Sequence, residues 1–321
     1  METRAGDMTT VAAAGGTFAP PAWLVSEFVA LARPGRVTAD LFTHDTLPPG
    51  VSSLNLRKVS GGSSTAVQAL QNSALSDTAM TTTSVSSGIT TIGGKQIVSM
   101  QLLDQSGIPF DRVILGDLAM DYAKQLCQQV LYGTNANGQL KGIVGVATNT
   151  AFTTASPALT STTAANSFYN KIIAASAGIA TTRYLRATAL VLHPNRSAWA
   201  LEQLDSQTRP LITADGSGFN GAGISTDSVA QGSVGTLAKI PVYVDPNISL
   251  TANSATNQDE VYVLRAEDIY LWESALRMES FEATYADNAS VLFRVMGYMG
   301  FIGNRHTAAV QSLRGTGLVA P

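Results

Sequence analysis

Residues 104–145, with the sequence DQSGIPFDRVILGDLAMDYAKQLCQQVLYGTNANGQLKGIVG, contain the longest amphipathic run of the chain. Pro109 and Asp111 indicate a helix start, because proline fixes φ and an aspartate side chain can cap free backbone amides. The apolar residues that follow recur at spacings of three and four, which places them on one helical face. These residues are Leu115, Leu118, Tyr122, Leu126 and Val130.

The end of this run is equally well marked. Gly133 stops the apolar pattern, and Asn135, Asn137 and Gly138 form a turn-rich exit. The stretch therefore predicts a helix over about residues 112–131, roughly 30 Å long, followed by a tight polar elbow.

The composition limits the function classes. The 321 residues suffice for one large domain or two with a substantial core. Only 13% of the residues are charged, the net charge is −3, and no basic block occurs. Because phosphate binding depends on clustered Lys and Arg, strong electrostatic attraction to nucleic acid is not expected. The many Ser and Thr residues suit a surface that is buried against other copies of the chain, although many enzymes share this composition.

The single cysteine, Cys127, excludes an intramolecular disulfide framework and indicates a reducing compartment. Since it falls within the predicted helix, we expect a buried apolar side chain and not a reactive thiol. No apolar run reaches the roughly 20 residues that a membrane span needs. The N-terminus also lacks the pattern of a signal peptide.

The sequence before the long helix has two parts. Residues 1–20 are small and polar and indicate a loosely ordered arm, and residues 22–33 predict a short packing helix. Over residues 44–105, β-branched residues and glycines dominate, and apolar residues alternate with polar ones around Leu54 and Val98. This pattern predicts two strand-like arms around a polar tip. A long hairpin is marginal in water without a partner, and a flexible linker is the alternative.

After the elbow, the pattern alternates between helices and strands and predicts a compact αβαβ lobe. The segments are a helix over 162–180, a buried strand over 187–192, a helix with Pro194 at its first position, and a strand over 240–248. The last third predicts strands over 261–273 and 276–285 and a long sheet strand over 291–302.

The sequence contains no recognisable catalytic, cofactor or metal site. His44, His193 and His306 are scattered, with no second ligand at metal spacing. No G-x-S-x-G, H-E-x-x-H or Walker A motif occurs. We therefore expect no catalytic residue, no cofactor-binding residue and no metal ligand.

Acidic residues in the last third predict a polar sheet face, and Arg265 and Arg277 beside them offer salt bridges within or between subunits. These acidic residues are Glu267, Asp268, Glu273, Glu279 and Glu282.

The order of QLLDQSGIPFD, the long helix and LYGTNANGQLKGIVG resembles the major capsid proteins of tailed bacteriophages, the family with the HK97-like fold. The HPNRSAWALEQL segment and the ending GNRHTAAVQSL are similar to that family too. The resemblance implies an α+β fold with an N-terminal arm over 1–43 and an extended β-hairpin, the E-loop, over 44–105. It further implies two domains. The peripheral (P) domain spans 106–163 and 271–300, with the long helix as its spine, and the axial (A) domain spans 164–270 and 301–321.

The resemblance implies a structural protein that self-assembles into hexamers and pentamers of an icosahedral head shell around double-stranded phage DNA. Expected partners are other copies of the chain, a portal, a scaffolding protein, a maturation protease and, as a further candidate, a decoration protein. Contact with packaged DNA would be non-specific, and no membrane partner is expected. The chain would assemble in the bacterial host cytoplasm and would then be part of the virion capsid. Only some 20 residues precede Trp23, so scaffolding would be a separate protein or already removed.

Two alternatives stay open. An encapsulin-type nanocompartment shell protein shares the fold, although the long Ser/Thr-rich loop favours a phage protein. An α/β hydrolase-like enzyme belongs to another class; the lack of a nucleophile–base pair argues against it, and a monomeric solution state would support it.

Some members of this family cross-link their shells through an isopeptide bond, in which a loop lysine attacks an asparagine with the help of a glutamate. Asn288 lies where such an asparagine could stand, but Val295 occupies the position of the glutamate. The loop tip, residues 61–83, has no lysine, since Lys58 and Lys95 lie towards its base. Without a desolvated base there is little to generate the neutral amine, so we expect no cross-link.

Overall fold

The computed structural model describes residues 32–68, 70–105, 110–153, 167–203, 233–252 and 257–321. The α-helices within these ranges, α1 to α5, are Val37–Asp40, Met100–Gln105, Phe110–Tyr132, Phe168–Arg183 and Pro194–Glu202. The predicted arm over 1–20, most of the predicted helix over 22–33 and the helix start at Pro109 lie outside the described residues.

The described strands form three sheets. The first sheet contains β1 Thr43–Thr46, β4 Thr90–Ser99, β10 Tyr270–Glu273, β11 Arg277–Tyr285 and β12 Ser290–Ile302. The second contains β5 Thr148–Ala151, β6 Ala189–Leu192, β7 Ser233–Leu237, β8 Ile240–Val244, β9 Val261–Leu264 and β13 Val310–Arg314. The third is a hairpin of β2 Ser53–Gly61 and β3 Thr81–Gly88.

Helix α3 confirms the predicted long helix and lies on one face of the first sheet. A Cβ atom on Gly94 would lie 3.2 Å from Leu118, and one on Gly297 would lie 2.5 Å from the Tyr122 hydroxyl. Glycine at these strand positions therefore lets the helix approach the sheet closely.

The elbow after α3 is held by two glycines in contact. The Gly142 amide donates to the Gly133 carbonyl at 2.8 Å, and a Cβ atom on Gly142 would lie 2.5 Å from the Gly133 nitrogen. Asn135, Asn137 and Gly138 adopt positive φ angles of 60°, 52° and 78°, a region that asparagine and glycine tolerate best. The elbow prediction is confirmed, although Gly133 provides close backbone contact and not a left-handed turn.

The hairpin is shorter than the sequence predicts. β2 pairs with β3 from Ser53, opposite Gly88, outwards. β4, by contrast, pairs along its whole length with β12 in the first sheet, and the next residues form α2. The prediction of one hairpin over 44–105 is therefore wrong for residues 90–105. It is also wrong for β1, which pairs with β10 in the first sheet and is not part of the hairpin. Strand alternation alone could not show this, because β3 and β4 are both rich in Ser, Thr and Gly and carry no signal for their partners.

The second sheet has the order β5-β13-β9-β6-β8-β7, and its central strands β6 and β9 are buried at every position. Helix α4 begins after the N-cap Ser167 and buries the face predicted from the sequence: Phe168, Ile172, Ala175 and Ile179. Helix α5 begins with Pro194 at its first position, as predicted.

The strand pairing corrects one prediction for this part of the chain. Residues 148–151 pair with β13 in the second sheet. The predicted single strand over 261–273 is divided by the 3-10 turn Ala266–Asp268, so that β9 lies in the second sheet and β10 in the first. The boundaries of the P and A domains stay predictions.

One buried cluster joins the two large sheets around the C-terminal half of α3. It includes Leu131 of α3, Tyr262 and Leu264 of β9, and Val295 and Phe301 of β12. Because both sheets contribute to the same core, they form one body from which the hairpin extends.

Candidate assembly surfaces

The outer part of the hairpin is exposed and carries apolar side chains. We define the hairpin tip as residues 59–80, of which Ala69 is not described. The exposed fractions of its larger apolar residues are 53% for Val59, 95% for Val67, 75% for Leu70, 76% for Leu75 and 58% for Met80. Ser64 Oγ lies 3.2 Å from Ser76 Oγ, so the two arms stay together beyond the paired strands. A projecting segment with uncovered apolar side chains is a candidate contact surface.

The inner part of the hairpin is fixed to the body. Leu54 packs over Gly300 of β12, where a Cβ atom would overlap it. Lys58 Nζ donates to the Arg305 carbonyl at 2.9 Å, and Arg305 Nη2 donates to the Arg57 carbonyl at 3.1 Å. Arg305 Nη1 also donates to the Tyr270 hydroxyl at 2.9 Å. These contacts determine where the hairpin leaves the body.

The segment that leads in from the N-terminal part of the chain is attached to α3. The Arg33 guanidinium binds Asp117 at 2.7 Å and Asp121 at 2.5 Å, two carboxylates four residues apart on the helix. The hydrogen bond from Arg33 holds the pKa of Asp117 below its ordinary value. Arg36 binds Asp40 at 2.6 Å and Glu273 of β10 at 2.5 Å.

Behind these ion pairs, Asp245 is a buried carboxylate that connects three parts of the chain. It accepts hydrogen bonds from the Thr38 amide at 3.1 Å and hydroxyl at 2.5 Å, from Cys127 Sγ at 3.2 Å, and from the Asn247 amide at 2.8 Å. Asn247 Nδ2 also donates to it and to the Gly35 carbonyl. The carboxylate therefore holds α1 to α3 and to the end of β8.

The side chains considered for chemistry stay apart. Cys127 is fully buried, and burial raises the pKa of its thiol, with Asp245 raising it further. His193 Nδ1 accepts a hydrogen bond from the Asn195 amide as the N-cap of α5, and burial lowers its pKa. Burial and the positive Arg183 lower the pKa of His306. His44 lies 3.3 Å from Glu273. In the described ranges no three His, Cys, Asp or Glu side chains form a group that could hold a metal ion.

The predicted polar sheet face is only partly present. Arg265 pairs with Glu267 and, at 3.6 Å, with Asp268, but both acidic residues lie in or beside a 3-10 turn and not on a sheet. Glu279 on β11 binds Arg294 on β12. Arg277 is exposed and forms no ion pair within the described part of the chain.

The residues considered for a cross-link are not brought together in one subunit. Asn288 lies exposed in the 3-10 turn before β12, while Val295 is buried in the core. Lys58 is bound at the hairpin base, and Lys95 is exposed on β4.

Sequence reasoning missed Arg33, Asp245 and Arg305. Each acts through partners that are far away in the sequence: 84 residues for Arg33 and Asp117, and 207 for Asp245 and Thr38. The only local signal was the Asp-Pro pair at 245–246, which marked a strand end. No helix among the described residues is long and apolar enough to cross a membrane.

The fold is similar to several solved structures. One titled as the capsid of a native GTA particle has a TM-score of 0.72 and 13% identity, with 96% of this chain and 98% of that chain covered. One from Gordonia phage Cozz has a TM-score of 0.72 and 11% identity, covering 98% of each chain. One from Mycobacterium phage Bobi has a TM-score of 0.71 and 11% identity, covering 97% and 100%.

These likenesses establish the α+β, HK97-like fold that the family resemblance implies. A search of curated proteins by sequence gave no match. The model of the phage capsid family matches residues 15–311, nearly the whole sequence, and the chain therefore belongs to the phage capsid family.

Proposed function

We propose that this chain is the major subunit of a phage head shell, in which hexamers and pentamers close into an icosahedron around double-stranded DNA. The observation that carries the proposal is the hairpin tip, which projects from a well-packed body with its apolar side chains uncovered. Membership of the phage capsid family supports the same function. The encapsulin-type and hydrolase-like alternatives have no comparable support.

The hairpin needs a neighbouring subunit to become stable. An isolated two-stranded hairpin is marginal in water, and its polar strands bury little apolar surface. Burying the five large apolar side chains of the tip against a neighbour would contribute on the order of 1.5–3 kcal/mol each. The stability of this segment therefore belongs to the assembly and depends on subunit concentration.

The partners follow from the same proposal. Other copies of the chain are the main partner, with a portal, a scaffolding protein, a maturation protease and a decoration protein as accessory partners. Contact with DNA would be weak and independent of sequence, since the chain has a net charge of −3. The chain would assemble in the host cytoplasm and end in the virion, without catalytic activity of its own.

We further propose that the shell forms no covalent cross-link. No lysine lies in the hairpin tip, and Val295 offers no base beside Asn288. Particles boiled in denaturant should therefore give one gel band near the chain mass of 33.5 kDa. A ladder of multimers would contradict this part of the proposal.

The shell function is tested by expressing the full chain alone and with its neighbouring phage genes. Size-exclusion chromatography and negative-stain microscopy should show rings of five and six subunits or closed shells. A monomer under both conditions would contradict the proposal and favour the enzyme alternative.

A further inference from the structure

One face of the first sheet holds two like charges in direct opposition. In the antiparallel pairing, Lys95 of β4 lies opposite Arg294 of β12, and Arg294 lies opposite Glu279 of β11. Residues that are directly opposite share a face, and like charges there are destabilising. Glu279 binds Arg294, whose Nε lies 3.2 Å from Glu279 Oε2. Lys95 has no carboxylate partner within the described ranges, so this row lacks one negative charge.

Of the two neighbouring rows, one is apolar and the other contains a second cation. Ile97, Leu292 and Phe281 form the next row, and Gly93, Met296 and Arg277 form the row on the other side. We call these three rows the open sheet face, because α3 occupies the opposite face, where it contacts Gly94 and Gly297.

Most side chains of the open sheet face are exposed or half-buried. Ile97 is 45% exposed, Lys95 and Arg277 are exposed, Phe281 and Met296 are half-buried, and only Leu292, between Ile97 and Phe281, is buried. The face thus combines apolar side chains with two unpaired cations, Lys95 and Arg277.

The hairpin tip has the complementary composition. Between Val59 and Gly94 the sequence contains one ionisable side chain, Asp77. Asp77 is exposed, lies beyond the outer end of the paired strands, and forms no ion pair with any described residue. Leu75 and Met80 beside it are 76% and 58% exposed. One carboxylate among uncovered apolar side chains matches a face that has uncovered apolar side chains and an unpaired cation.

We propose that Asp77 on the hairpin tip of one copy pairs with Lys95 on the open sheet face of a second copy. The carboxylate lies between Lys95 and Arg294 and relieves their repulsion, while the apolar tip residues cover the row of Ile97. Asp77 is thus the specificity-determining charge of the hairpin. The inference rests on the proposed function, since only an assembly brings a second copy to this face.

The first test is site-directed cross-linking of assembled particles. The only native thiol, Cys127, is fully buried. In the double variant Asp77→Cys with Lys95→Cys, a short bifunctional thiol reagent should therefore produce a ladder of covalent multimers. The matched control is Thr82→Cys with Lys95→Cys, whose first site lies five residues along the arm, about 17 Å away, and should give little ladder. Assembled particles with a single band for the first pair would overturn the proposal.

The second test exchanges the charges. Asp77→Lys or Lys95→Asp alone should lower particle yield about tenfold, as expected when like charges meet at an interface. The combined variant Asp77→Lys with Lys95→Asp should recover most of the yield. Asp104→Lys, the same charge change at another exposed site without an ion pair, is the control and should keep the wild-type yield. Circular dichroism of the unassembled variants checks that the body is folded.

The outcomes separate this inference from the proposed function. If the wild-type chain forms neither rings nor shells, the shell function itself fails. If wild-type shells form but the combined exchange assembles no better than the single variants, the pairing is wrong and the shell function stands.

Discussion

Leu54 on β2 packs directly over Gly300 on β12, at the place where any Cβ atom on residue 300 would overlap the leucine side chain. This contact joins the base of the hairpin to the strand that runs through the first sheet. The hairpin can therefore leave the body in this direction only because residue 300 has no side chain.

The Gly300→Leu variant tests this contact. The larger side chain should displace Leu54 and weaken the attachment of the hairpin, at a cost of about 1–3 kcal/mol from overpacking. We expect a folded body, faster proteolytic cleavage in residues 59–80, and loss of particles. Gly88→Ala is the control, because no atom lies within 4 Å of its Cβ position. Normal particles from Gly300→Leu would contradict this role of the hairpin base.

The buried carboxylate Asp245 gives a second prediction. In Asp245→Asn, an amide nitrogen would replace one carboxylate oxygen and would face hydrogen-bond donors. The buried donors that lose their acceptor would each lower the stability by about 1–3 kcal/mol. The contact with α1 should loosen, so that Cys127, shielded in the wild type, reacts faster with a thiol reagent. Thiol labelling rates measure this effect. The exposed Asp45→Asn variant should label as slowly as the wild type, and equal rates for Asp245→Asn would refute the prediction.

The buried ion pair of Arg196 and Asp259 gives a third prediction. Arg196 Nη2 lies 2.7 Å from Asp259 Oδ1, and the side chains are 1% and 0% exposed. Arg196→Met leaves the carboxylate buried without its partner, which should lower the free energy of unfolding by about 3–5 kcal/mol. Adding Asp259→Leu should recover a large part of the loss, because no charge then stays buried. Denaturant unfolding of the unassembled subunit measures both variants, and additive losses in the double variant would be the contrary result.

The two half-buried histidines, His193 and His306, predict a dependence of stability on pH. Burial lowers the pKa of His193 and His306 from the ordinary 6.5, with Arg183 contributing at His306. The unfolded chain then binds protons that the folded chain does not. Stability is therefore complete above pH 6.5 and falls as the pH drops through the lowered values.

The variant His193→Asn with His306→Gln isolates this contribution. Asparagine retains an N-cap oxygen without titrating, so the variant should lose less stability than the wild type between pH 7 and pH 5. We expect a smaller decrease of Tm in the variant than in the wild type, measured by scanning calorimetry of the unassembled subunit. Parallel pH profiles for the variant and the wild type would exclude this cause.

The parts of the fold that could be predicted from the sequence are those with a strong local period. The face of α4 through Phe168 and Ile179 is buried as predicted, and so are Leu126 and Val130 of α3. Local signals sufficed because the helical spacing of apolar residues and an N-terminal proline or serine act within a few residues.

The parts that could not be predicted depend on partners far away in the sequence. β3 and β4 follow one another with similar composition, yet one pairs with β2 and the other with β12. The donors around Asp245 come from residues near positions 38 and 127. The opposition of Lys95 and Arg294 also depends on strand register, which the sequence pattern does not show.

Cryo-electron microscopy of particles formed by the full chain would show the contact between neighbouring copies at the level of single residues. We expect closed shells built from repeated copies, with residues 53–88 of each copy lying on its neighbour and residue 77 close to residue 95 of that neighbour. A monodisperse 33.5 kDa monomer, both alone and with the products of neighbouring phage genes, would refute the shell function.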